Sequence, residues 1–137
     1  MELELKKEQF ACYQALPQLS ENREETTETI VPDYCPDIAR IISAEGVVCL
    51  HGGTEQDGVT GTVRVTVLYT PENESGVRAL DFAMPFSAQG EGLAGCAHVV
   101  VETEIELLES RMLNPRKIFT RCKLVTHLTG YRKVCLT

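Results

Sequence analysis

Apolar and polar side chains alternate with a period of two along most of this chain, and that period commits it to β-strands. Val63, Val65, Val67 and Tyr69 are interleaved with Arg64, Thr66, Leu68 and Thr70. Successive side chains of a strand point to opposite faces, so such a run buries one face and wets the other. The pattern returns through Leu80, Phe82, Met84 and Phe86. It returns again at residues 98–109, with Val99, Val101, Ile105 and Leu107 inward and Glu102, Glu104 and Glu106 outward. Residues 118–128 repeat it through Cys122, Leu124 and Leu128, and shorter pieces stand at 26–31, 47–51 and 131–136. The alternation at 98–109 is expected to be the longest strand. Polar or glycine- and proline-bearing runs separate these segments: a loop at 17–25, Asp57-Gly58 as a hairpin signal, and turns at 71–76, 87–95 and 114–116.

One segment breaks the alternation. In Val31-Pro-Asp-Tyr-Cys-Pro-Asp-Ile-Ala-Arg-Ile-Ile-Ser-Ala-Glu-Gly46, Ile38, Ile41 and Ile42 fall at i, i+3 and i+4, the spacing of a helical stripe. Pro36 suits the first helical position, Asp37 the first turn, and Gly46 the end. A short helix is therefore expected over residues 36–45, packed on a sheet because two to three turns do not stand alone. Together these elements predict a mainly β fold, a β-sandwich or partly closed barrel of about seven strands with one short helix. A chain of 137 residues suits one domain. Its expected organisation is an N-terminal strand and loop arm at 1–24, where Leu3 and Leu5 alternate with Glu2, Glu4 and Lys6, and a core at 25–137.

Charge and cysteine usage narrow the function classes. Thirteen basic against twenty acidic residues give a net charge of −7, a potential that disfavours phosphate backbones and hence nucleic acid. No apolar run of about 18 residues is present to form a membrane-spanning helix, and no secretory signal pattern opens the chain. Synthesis in the cytoplasm is expected. The six cysteines form no C-x-x-C or C-x-x-H pair, which leaves zinc knuckles and redox motifs unsupported. In apolar surroundings such as Val48-Cys49-Leu50 a reduced thiol acts as a small hydrophobe.

The segment Val31-Pro-Asp-Tyr-Cys-Pro-Asp-Ile-Ala-Arg-Ile-Ile42 resembles the opening signature of the SPOCS domain family, modules associated with the spore coat of endospore-forming Firmicutes. Val65-Thr-Val-Leu-Tyr69, Met84-Pro-Phe-Ser87 and Asn114-Pro-Arg-Lys-Ile118 are similar in order and spacing, so the resemblance covers about residues 25–130. It implies a non-catalytic, structural role in spore envelope assembly, with a coat morphogenetic protein as partner. It also implies a path from the mother-cell cytoplasm to the forespore surface. Family members often carry several modules and a C-terminal LysM domain, and this chain is expected to be an N-terminal module of a longer protein. The resemblance carries over no catalytic residue, cofactor or metal.

The candidate interaction residues are Asp33, Asp37 and Arg40 around the expected helix, and the basic cluster Arg116, Lys117, Arg121 and Lys123. Asp33 and Asp37 read either as a partner or cation contact or, more plainly, as helix capping. The basic cluster reads as a patch for an acidic protein surface or as a solvated strand face. His51, His98 and His127 are far apart, and a metal triad or a cysteine–histidine pair would require convergence. The strand pattern at 2–6 could add to a neighbour's sheet edge and drive self-association. An alternative function class is a β-module binding a cell-wall glycan or small ligand. With no Trp and 6% aromatic residues, it lacks an obvious stacking platform.

Overall fold

In the computed structural model, which describes residues 10–51, 58–89, 96 and 98–136, every regular element is a β-strand. The expected strand at 2–6, the turn at 52–57 and Gly90, Gly92 and Gly95 lie outside the described residues. Two antiparallel sheets form a sandwich, and it does not close into a barrel. One sheet is centred on β7 (Lys117–Leu136), which pairs on one side with β6 (His98–Asn114). Its other side is shared by β2 (Leu19–Ile30) along residues 117–128 and β1 (Phe10–Ala15) along residues 131–136. The second sheet has the order β3 (Ile38–His51), β4 (Gly58–Pro71), β5 (Arg78–Gln89).

The two central strands supply the core. Val63, Val65, Val67 and Tyr69 of β4 face Ile118, Cys122 and Leu124 of β7, with Leu80, Met84 and Phe86 of β5 beside them. Each of these side chains is almost wholly removed from water, worth about 1.5–3 kcal/mol for a large aliphatic one. Thr120 and Thr126 are the buried polar residues of the same face, and each is satisfied across the strand pair. Thr120 Oγ1 meets Ser110 Oγ at 2.7 Å, and Thr126 Oγ1 meets Thr103 Oγ1 at 3.1 Å.

The helix expected over residues 36–45 is a strand. Ile38 to Gly46 belong to β3, and the helical spacing has a different cause. Register shifts between Ile38 and Arg40 and between Ile41 and Ser43 each insert an unpaired residue. A bulge of this kind turns the usual two-residue repeat into three. Ile38 is therefore buried and Ile41 and Ala44 pack on the core, three residues apart, while Ile42 is 46% exposed. Isoleucine at i and i+3 is a pattern that two bulges and a helix share.

Three smaller expectations are also corrected. Residues 19–25 are not loop but the first half of β2, in which every second residue is exposed. That face is polar on both sides, so hydrophobic alternation could not reveal it. The segments 118–128 and 131–136 are one strand of 20 residues, longer than the 17 of β6. In β6 a bulge at Glu106 shifts the phase, so that Leu108 and not Leu107 packs on the core.

Candidate interaction site at the crossover loop

The chain passes from one sheet to the other between β2 and β3, through residues 31–37. Val31, 1% exposed, and Ile38, fully buried, anchor the two ends of this crossover in the core. Pro32 and Pro36 contribute no N–H, so the loop is rich in carbonyls with few donors of its own. Carbonyls near a buried core need partners from elsewhere.

Arg116, in the turn between β6 and β7, supplies most of them. Its Nη1 donates to the Cys35 carbonyl at 2.6 Å and to Asp37 Oδ1 at 3.0 Å. Its Nη2 donates to the carbonyls of Val31 at 3.0 Å and Pro32 at 2.7 Å. A guanidinium holds its donors in a rigid fork, which suits it to span several acceptors at once. The turn itself is shaped by Asn114 Oδ1, which accepts from the Arg116 backbone N–H at 2.8 Å.

Backbone bonds complete the junction. Val31 N–H donates to the Arg116 carbonyl and Ile38 N–H to the Pro115 carbonyl, each at 2.9 Å. Glu72 N–H, at the start of the β4–β5 turn, donates to the Asp37 carbonyl at 2.9 Å. From below, the Tyr69 hydroxyl donates to the Pro36 carbonyl at 3.1 Å. Burial raises the pKa of this phenol, which keeps its proton on the donor. Three connections thus meet at one end of the sandwich.

This scaffold leaves several large apolar side chains in water. Tyr34, at the tip of the crossover, is 89% exposed, and Ile30 before it is 71% exposed. Val77 on the β4–β5 turn and Met112 and Leu113 beside the β6–β7 turn are 56%, 40% and 44% exposed. Among the described residues, five of the ten exposed large hydrophobics therefore lie on or beside these three connections. Asp33 stands exposed among them.

The sequence-selected residues separate into two groups. Asp37 and Arg116 meet in the clamp, so Asp37 is an ion-pair partner and not the first turn of a helix. Arg40 is exposed on β3, with its carbonyl accepting from Thr70 Oγ1 at 3.3 Å. Lys117, Arg121 and Lys123 line the outer face of β7, between acidic rows on β2 and β6. Lys117 Nζ reaches Glu28 at 2.8 Å, Arg121 Nη2 reaches Glu109 at 2.7 Å, and Lys123 lies directly opposite Glu24. Arg121 Nε approaches Glu24 Oε1 at 3.5 Å without making a hydrogen bond. Arg111 stacks over Phe119 at 5.2 Å, and with Arg121, Glu24 and Glu109 it borders an open groove of about 510 Å³. Lys117 and Arg121 are thus paired within their own sheet.

The histidines go different ways. His51 bonds Thr62 Oγ1 at 2.8 Å, His127 bonds Ser20 Oγ at 2.9 Å, and His98 packs edge-on to Tyr13. Among the described residues no three His, Cys, Asp or Glu side chains are grouped to hold a metal ion. Cys12, Cys35, Cys49, Cys96 and Cys122 are free thiols.

Sequence reasoning missed Tyr34, Ile30 and Tyr69 as parts of the site. The usable signal was the resemblance itself, since two of its separated pieces, at 31–42 and 114–118, are the two halves of the Arg116 clamp. No protein-family model, no curated protein and no solved structure matches this chain.

Proposed function

We propose that this chain is a non-catalytic protein-interaction module of bacterial endospore coat assembly, docking a coat morphogenetic protein through its crossover-loop end. The observation that carries the reading is Tyr34, 89% exposed on a loop whose neighbouring carbonyls are held by one arginine. A large aromatic on a preorganised loop gives contact area without much further loss of freedom on binding, the usual character of an interface anchor. Val77, Leu113 and Ile30 are exposed on or beside the same three connections. The spore setting is supported by the resemblance, whose best-matching segment is the crossover itself.

The reading is tested in a sporulating host that carries the gene. A fluorescent fusion should gather at the mother-cell side of the forespore, and deletion of residues 10–136 from the gene product should detach the coat. Diffuse fluorescence throughout sporulation, with normal encapsulation after deletion, would contradict it.

A further inference from the structure

The two outer faces of the sandwich differ in charge. On the four-stranded sheet, Lys117 and Arg121 are neutralised by Glu28, Glu109 and Glu24 within the same face. On the outer face of the three-stranded sheet the described residues are mostly threonine, alanine and other small uncharged types. Apart from Arg40, opposite Thr70 toward the crossover end, its formal charges sit in two neighbouring rows. One row runs Val47, Arg64, Ala83 across the three strands, and the next runs Glu45, Thr66, Asp81. Arg64, Glu45 and Asp81 are exposed, and among the described residues none of them forms a salt bridge. Asp81 is held in place by Thr66 Oγ1, which donates to its Oδ1 at 2.6 Å. Val47 is 64% exposed, and a hollow of about 310 Å³ lies between Arg64 and Asp81.

We propose that this face is a self-association surface, occupied by the same face of a second copy of the chain. The face is self-complementary. A two-fold axis lying in the plane of the face, between the two rows, sets each row of one copy against the other row of its partner. A two-fold contact must use the same patch on both copies. Here that places the Arg64 guanidinium of each copy over Thr66 of the other, with Glu45 and Asp81 on either side. The rows are about 7 Å apart along the strands and the strands about 4.8 Å apart, distances a long arginine side chain covers. Three strands of about twelve residues present roughly 14 by 40 Å, so two copies bury on the order of 1,100 Å², enough for a specific contact. An arginine without a carboxylate, beside carboxylates without a cation, is what each copy offers the other. The inference does not rest on the spore-coat reading, because it uses another face and another partner.

The test is sedimentation equilibrium of the 137-residue chain and two charge variants. The wild type should sediment at twice its 15.2 kDa chain mass at about 100 μM. Arg64→Glu, with only acidic charges in the two rows, and the double variant Glu45→Arg/Asp81→Arg, with only basic ones, should each be monomeric. Mixed one to one, they should recover the dimer mass. Val47→Glu gives a second break at a well-exposed position, and circular dichroism checks that every variant folds. A monomeric wild type, a folded Arg64→Glu or Val47→Glu chain that dimerises like the wild type, or a mixture that stays monomeric would each overturn the proposal. None of those results would bear on forespore recruitment through the crossover loop.

Discussion

The Arg116 guanidinium reaches Asp37 at 3.0 Å and in doing so fastens the β6–β7 turn to the crossover between the two sheets. The ion pair is the lesser part of this contact, since both side chains are partly exposed and such pairs contribute little. The greater part is the set of three backbone carbonyls bonded by the same head group. Acceptors deprived of a donor at a partly buried site carry a desolvation cost.

Arg116→Ala should therefore destabilise the fold by about 2–3 kcal/mol, measured by urea denaturation. Arg116→Lys should recover less than half of that, because an ammonium cannot span the acceptors as a fork does. Equal stability of the lysine variant and the wild type would mean that charge alone holds the loop.

Tyr69→Phe removes the hydroxyl that donates to the Pro36 carbonyl and leaves the buried ring in place. The expected loss is about 0.5–1.5 kcal/mol in the same assay. Amide exchange should accelerate at Cys35, the nearest loop donor, more than within β4. Uniform acceleration would place the effect in the sheet.

Two strand glycines should respond differently to alanine. A Cβ on Gly61 would stand 2.6 Å from Phe86 Cζ, whose ring lies directly across the strand pair, and 2.9 Å from the Cys49 carbonyl. A backbone oxygen cannot move aside easily. At Gly46 the nearest atoms are side-chain ends, Leu108 Cδ2 at 2.9 Å and Ile105 Cδ1 at 3.0 Å, and these can rotate. Gly61→Ala should cost roughly 2–3 kcal/mol and Gly46→Ala less, with melting temperatures in the same order. The reverse order would contradict the packing described.

Much of this fold can be read from the chain, and the misreadings have specific causes. Val63 to Tyr69 and Leu80 to Phe86 each keep one apolar face, so strand, face and core follow from alternation. Ile38, Ile41 and Ala44 share a face at three-residue intervals because of two bulges, and nothing in a single sequence separates that from helix. In β2, Glu21, Arg23 and Glu25 occupy the inward positions as a charge network, with Arg23 bonded to both acids at 3.0 and 2.9 Å. A strand held by ion pairs and ladder bonds has no apolar period to detect. Arg116 and Asp37 were both singled out by composition and motif. Their meeting across 79 residues depends on topology, which local pattern does not encode.

Cys122 gives the fold a dependence on alkaline pH. Its thiol is fully buried in the core, and burial, aided by the nearby Glu25 carboxylate, raises its pKa. The unfolded chain then loses this proton at lower pH than the folded chain does. The contribution is fully present below the ordinary thiol range, near 8.5, and is lost as pH rises toward the folded value. Stability should fall above about pH 8.5 in the wild type and fall less steeply in Cys122→Val. Identical slopes in the two proteins would assign the alkaline loss to other groups, Tyr69 among them.

Tyr34→Ala removes the proposed anchor of the docking surface, a side chain that is 89% exposed. The substitution should leave the melting temperature within about 1 °C of wild type, as expected for a surface site. It should also abolish recruitment of the fluorescent fusion to the forespore surface, with Arg40→Ala recruited as the wild type is. Full recruitment of a stably folded Tyr34→Ala fusion would mean that the crossover end does not dock the partner.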